Sequence, residues 1–252
     1  MNSPADDPLA PLLALPGVAE AADAAREALA AVHRHPANRR GWPTTAAESV
    51  LRGARASAGV EGASVRLDAD SEPDDVLASA LRVAGELTGE SLDRAVSVWT
   101  RSPLQELAHL HLVAASGPGV DPEGLGRPRS EPGIAERLQG VAELVTGGTR
   151  VAAPVLAAVV LGELSGLKPF GSADGIVARA AFRLVAVSTG LDPHCLGVPE
   201  VTFYRDPEVH QAALDGYMSG TEAGVTDWIL HSCRALEAGA REAASIAEAA
   251  GA

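Results

Sequence analysis

The sequence predicts an all-α protein, and three observations carry that prediction. Ala, Leu, Val and Gly dominate the 252 residues while aromatics make up 3%, a balance that favours helix over sheet. Alternation of β-branched or aromatic residues with polar ones is scarce. Gly, Pro and capping residues fall between the apolar stretches, where helices would start and stop. The length fits one large domain, or a core with a helical annex.

Each element follows from local signals. Residues 1–17 are acidic and Pro-rich at their start and are expected to form a flexible or loosely docked tail. Residues 18–34 are rich in Ala, Glu and Arg and should be helical, as part of an N-terminal helical region over 18–66. Two prolines and Gly41 break the chain at 35–43. Thr45, with Glu48 three residues on, has the form of a capping box and opens a helix to about Val60, where Gly62 stands at the C-terminal cap position. Residues 63–73 read as a loop. Helices are expected at 74–88, 91–100 and 103–115, within a core spanning 74–250.

The stretch 116–133 holds five glycines and four prolines, too many for a helix, and is expected to form a long loop or a short hairpin near 118–130. Helices follow at 134–146 and 151–167. A loop of small residues after Pro169 leads into an apolar helix at 176–189, with Asp174 as its expected N-cap. Residues 190–205 read as irregular. Helices at 207–218 and 222–248 close the chain, the last an acidic amphipathic helix carrying Glu237, Glu242 and Glu248. No internal repeat is present.

Composition excludes several function classes. A formal net charge of −13 argues against general binding to nucleic acid or to an anionic membrane. Cys195 and Cys233 are too few for a disulfide framework, and no Cys/His cluster has zinc spacing. No basic segment precedes an apolar run near Met1, so no signal peptide is expected. The apolar run 151–161 is too short to span a bilayer. A cytoplasmic location follows as the expectation.

The informative segment is 161–185, a helix, a Pro-containing loop of small residues and a second helix. Backbone N–H groups at the start of such a helix can hold a phosphate, and a tight helix–helix turn is the simpler reading. Its residues run Leu167-Lys168-Pro169-Phe170-Gly171-Ser172-Ala173-Asp174-Gly175-Ile176-Val177-Ala178-Arg179. This segment resembles the signature of the Fic family, His-Pro-Phe-x-Asp/Glu-Gly-Asn-Gly-Arg-x-x-Arg, with Pro169, Phe170, Gly175 and Arg179 in register. Upstream, Ser57-Ala58-Gly59-Val60-Glu61-Gly62 resembles the family's inhibitory motif, Ser/Thr-x-x-x-Glu-Gly/Asn. Residues 40–62 are also similar to actinobacterial members, and the likeness covers roughly 40–190. The resemblance implies a Fic-fold helical bundle with a helix at about 44–62 lying over the loop. It also implies a flap hairpin near 118–130, with Arg127 and Arg129 in the flap-like segment as candidates to face the pocket against the alternative of a solvated loop.

The same resemblance locates the chemistry and its departures. Lys168 stands where active members have their histidine base; an ordinary lysine titrates near ~10.4 and is protonated at neutral pH. Ser172 replaces the metal-holding acid and is a poor ligand for a hard cation, so no metal site is expected. Ala173 and Asp174 replace the Gly-Asn of the anion hole, Asp174 adds negative charge where phosphate would lie, and Ile176 deletes an arginine. Phe170, Ser172, Ala173, Asp174, Gly175 and Arg179 are then the nucleotide or anion loop by position, and Ser57, Glu61 and Gly62 the inhibitory motif. Losing one oxyanion donor alone costs ~100-fold or more.

Two functions follow from this pattern. One is a non-catalytic binding or regulatory module with an unknown protein partner and no required cofactor. The other is a nucleotide-dependent transferase of altered chemistry that uses Lys168, with ATP and magnesium. Ser57 and Glu61, one helical turn apart, are both expected to face the loop, and the resemblance implies that Glu61 pairs with Arg179, a fork suited to a carboxylate. His33, His35, His109 and His111 are two apart in pairs, cannot chelate one metal from a helix, and are assigned to surface or packing; the neighbours His194 and Cys195 are not expected to form a dyad.

Overall fold

A computed structural model describes residues 7–63, 65, 73–117 and 122–251. The protein is all-α, with eleven α-helices and no strand among the described residues. At its centre, α7 (Ala153–Leu167) and α8 (Asp174–Ser188) form a hairpin joined by residues 168–173. Both are apolar on nearly every face: Val155, Ala157, Val160 and Leu161 on α7, and Ala178, Ala181, Phe182 and Leu184 on α8, are fully buried. That suits helices enclosed on all sides by other helices.

The remaining helices wrap this hairpin. α1 (Val18–Arg34) packs along the long C-terminal helix α11 (Glu222–Gly251), and α10 (Pro207–Met218) packs on α11 and α7. α2 (Asn38–Val60) lies across α3 (Asp75–Glu86), α8 and α9 (Glu200–Arg205). α4 (Gly89–Trp99) and α5 (Pro103–Ala115) cover another flank of α8, and α6 (Ile134–Glu143) packs on α5 and α7. Among the described residues, no helix is long and apolar enough to cross a membrane.

Several expectations are corrected. The helix expected at Thr45 begins at Asn38 and runs through Pro43. Pro43 is the sixth residue of the helix, and its missing N–H removes one internal bond, to Arg39 O. Buried Asn38 ties the entry down: its Nδ2 donates to Val32 O at 2.9 Å, and Thr45 Oγ1 donates to Asn38 Oδ1 at 2.8 Å. The capping-box reading of Thr45 therefore fails. α2 does end as expected, with Gly62 at φ +87° just beyond the cap residue Glu61.

The expected hairpin is not formed in residues 122–130, which hold a short 3-10 turn and irregular backbone; 118–121 lie outside the described residues. Residues 200–205, read as irregular, form α9. In the N-terminal segment, Asp7 accepts from Thr149 Oγ1 at 2.7 Å and from the Arg150 N–H at 2.6 Å, and a 3-10 turn at Ala10–Ala14 docks Leu9 and Leu12 on the core. The first six residues, and most of the loop expected at 63–73, lie outside the described residues.

Candidate functional site

The loop between α7 and α8 is built on two left-handed residues, Lys168 at φ 47° and Ala173 at φ 52°. Lys168 caps the end of α7, its N–H donating to Leu164 O at 3.1 Å. Ala173, not Asp174, is the N-cap of α8, and Asp174 is the first residue of the helix. The Asp174 side chain folds back into the loop instead of capping forward. Its Oδ1 accepts the Phe170 N–H at 2.8 Å, and the Gly171 N–H adds to the field that favours its charged form. The Phe170 N–H is a donor of the kind a phosphate would need, and a buried carboxylate of the chain already holds it. Burial pushes the Asp174 carboxyl above its ordinary range, while the two N–H groups and the charges of Arg129 and Lys168 pull it back.

Beneath the loop, Arg179 is buried and fully engaged by α2. Its Nε donates to Ser57 Oγ at 2.8 Å, and its Nη2 donates to Ser57 O at 3.0 Å and to Glu61 Oε1 at 2.7 Å. The expected pairing of Glu61 with Arg179 is therefore present, with Ser57 as a third member. Gly175 makes room for it: a Cβ there would stand 2.1 Å from Glu61 Oε1. Gly62 takes the left-handed turn that leaves Glu61 at the helix end.

The loop borders a cleft of about 590 Å³, walled by Glu61, His111, Phe170, Ser172, Ala173 and Ile176 among others. Lys168 is exposed and is not among these walls. Among the described residues, Arg82 is the cation lining the cleft, and its Nε and Nη2 donate to Val113 O and Ala114 O at 2.9 and 2.8 Å, at the end of α5.

His111, expected to serve surface or packing, has a more specific place. It is buried, its ring stacks on Phe170 with centroids 4.2 Å apart, and it links three segments. Its Nδ1 accepts the Gly126 N–H at 3.0 Å, and its Nε2 lies 3.1 Å from Ser172 Oγ. A Ser–His contact invites comparison with a nucleophile and its base, but the tautomer forbids it. A backbone N–H can only donate, so Nδ1 is bare and the neutral ring carries its proton on Nε2. Nε2–H then donates to Ser172, the reverse of what a general base must do. Burial holds the His111 ring below its usual range, which keeps it neutral.

Arg129 is half-buried and is not among the walls of the cleft. Its N–H donates to Pro169 O at 2.8 Å, its Nε to Lys168 O at 3.0 Å and its Nη2 to Leu167 O at 3.1 Å, so it closes the carbonyl end of α7. Arg127 is exposed. The segment thus lies against the motif loop, through one side chain and one backbone bond instead of a paired strand.

The remaining histidines have packing roles, and several are more specific than expected. His33 Nε2 bonds to Asp192 Oδ1 at 2.8 Å, His194 stacks on Trp42, and His109 contacts Glu86. His194 and Cys195 form no dyad: Cys195 Sγ accepts from Arg183 Nη1 at 3.3 Å, and burial raises its thiol to about 11. No group of three or more His, Cys, Asp or Glu among the described residues is placed to hold a metal.

No protein-family model matches the chain, and no curated protein matches it. The fit of ATP and magnesium therefore rests on the geometry, and the residues present do not suit them. The Phe170 N–H of the loop is held by Asp174, Arg179 is held by Ser57 and Glu61, and Ser172, where the resembled signature has its acid, is a hydroxyl engaged by His111.

Proposed function

We propose that this chain is a non-catalytic, Fic-like helical module that acts by binding a protein partner, in the cytoplasm, and does not transfer AMP. One observation carries the reading: the Asp174 carboxylate accepts the Phe170 N–H at 2.8 Å and so stands where a phosphate would have to sit. A nucleotide would have to displace a buried carboxylate and leave it unpaired, which costs several kcal/mol. Lys168, exposed and outside the cleft walls, lacks the apolar enclosure that activates a lysine nucleophile. The buried thiols Cys195 and Cys233 suit a reducing compartment.

The test is labelling of the protein and of lysate with ATP carrying a labelled α-phosphate, with magnesium or manganese, alongside calorimetric titration with ATP. Wild type and Lys168→His are both expected to give background labelling and no saturable ATP binding. Labelling that depends on Lys168 would overturn the reading.

A further inference from the structure

A second cavity, of about 890 Å³, lies on the other side of α7, between α6, the α10–α11 turn and the N-terminal segment. Its volume falls within the ~300–1,000 Å³ of sites that enclose a small organic ligand. The walls are aliphatic: Leu9, Leu12, Val141, Leu144, Val159 and Val225. The roof is the segment carrying Leu9 and Leu12, and Asp7 ties it to Thr149 and Arg150, beside the end of α6.

One polar cluster interrupts these walls. Glu163 on α7 accepts the Tyr217 phenol on Oε1 at 2.8 Å and Arg137 Nε on Oε2 at 2.8 Å, with Arg137 Nη2 2.7 Å from the same oxygen. Burial and the neighbouring carboxylate keep the Tyr217 phenol protonated. Arg137 and Glu163 cancel in charge. What remains on the wall is the carboxylate of Glu143, the last residue of α6, whose Oε1 accepts from the uncharged Gln139 Nε2 at 3.2 Å. That charge favours a cation.

We propose that this cavity binds an apolar molecule carrying a single ammonium group, its hydrocarbon body against the aliphatic walls and its head toward Glu143. A carboxylate head would face two glutamates, with Arg137 already committed to one of them. The site is separate from the motif loop, and the proposal does not depend on the reading given above for that loop.

The experiment is calorimetric titration of the full chain with octylamine, octanoate and octan-1-ol. Octylamine is expected to saturate at one per chain and to bind at least ~10-fold tighter than the other two, the equivalent of ~1.4 kcal/mol. Gly140 lines the cavity and a Cβ on it would meet nothing within 4 Å, so Gly140→Trp should fold normally and fill the space. It is expected to weaken octylamine ~10-fold or more. The exposed side chain of Glu143 allows a second variant: Glu143→Gln should weaken octylamine and leave octan-1-ol unchanged. The proposal is overturned by the absence of saturable octylamine binding, or by octanoate or octan-1-ol binding as tightly as the amine. It is also overturned if octylamine binding is unaltered in both variants, which would mean that the acidic surface merely collects cations.

Discussion

Arg179 and Arg183 stand one turn apart on α8, both buried, and they are held in different ways. Arg183 meets Glu200 in a two-point pair, Nε to Oε1 at 2.6 Å and Nη2 to Oε2 at 2.7 Å, with both side chains about 95% enclosed. Arg179 is as buried, but its carboxylate, Glu61, is 36% exposed at the end of α2 and makes one contact. Gly53 on α2 lets the first pair form, since a Cβ there would stand 2.3 Å from Arg183 Nη2; Gly175 on α8 does the same for the second. The difference separates two uses of an arginine. A forked pair closed from water locks α8 to α9, whereas a one-point contact from an exposed helix end can open without unfolding the protein.

The strongest way to break this distinction is to remove one carboxylate at a time. Glu200→Ala leaves the Arg183 guanidinium buried without its partner. It is expected to destabilise by about 3–5 kcal/mol, read as a lower urea midpoint at unchanged slope. A loss under about 1 kcal/mol would show that water reaches Arg183, and would place the two arginines in one class.

Acid probes the ground behind Arg179. His210 Nδ1 and His231 Nε2 are 3.1 Å apart in the core, with Phe203 and Trp228 around them. Burial, then the neighbouring His231 and Arg179, hold His210 down to about 3, and burial also lowers His231. These rings are neutral when folded and take up protons near ~6.5 when unfolded. The unfolded chain therefore binds more protons below that pH, so stability is full above about 6.5 and falls as pH drops towards 3. His111, also lowered by burial, acts in the same direction. Asp174, raised by burial, acts in the opposite direction below its folded value and softens the fall. From pH 6.5 to 4.5 the expected loss is about 1–3 kcal/mol. A His210→Gln variant should show a shallower dependence, and an identical slope would mean that this pair is not the acid-sensitive element.

A smaller effect is expected at the exposed pair. Glu61→Gln keeps an acceptor for Arg179 Nη2 and leaves both contacts to Ser57, so a loss of only about 0.5–1.5 kcal/mol is expected. ATP titration of this variant should show no binding, because Asp174 still holds the Phe170 N–H. Tight ATP binding would instead make Glu61 a latch on a working site.

The helical architecture was legible because Pro, Gly and capping residues punctuate apolar blocks, and α10 follows its expected limits to the residue. The pairing of Glu61 with Arg179 was legible from the resemblance, which sets the glutamate of the inhibitory motif against the last arginine of the signature; spacing added that Ser57 and Glu61 share one face of α2. What the sequence hid depends on distant contacts. The early helical path through Pro43 depends on Asn38 reaching Val32 and Thr45. The role of His111 depends on Gly126, Phe170 and Ser172 coming together from two loops. Asp174 looked like a forward cap by type and position, and only the left-handed Ala173 before it turns the side chain back into the loop. Glu200 could not be matched to Arg183 because residues 190–205 carry no helical signature of their own, α9 being six residues long.

Thiol chemistry offers the finest reading of the contrast between the two arginines. Cys195 is buried beside Arg183, its Sγ accepting from Nη1, and its thiol is raised to about 11 by burial. At pH 8 it should be almost wholly protonated and shielded, so labelling by a maleimide requires the Arg183 side of α8 to open. Cys233, raised to about 12 by burial, gives a second silent thiol in the core, so a Cys233→Ala background isolates the signal. In that background labelling should be slow, on the timescale of global unfolding. Glu61→Gln should leave the rate within about twofold, since its contact is on the far turn of α8 and opens locally. Glu200→Ala should raise the rate roughly in proportion to its loss of stability, tenfold for each ~1.4 kcal/mol. Equal acceleration by both variants would mean that the two arginines open together, and the difference in how they are held would then have no consequence for motion.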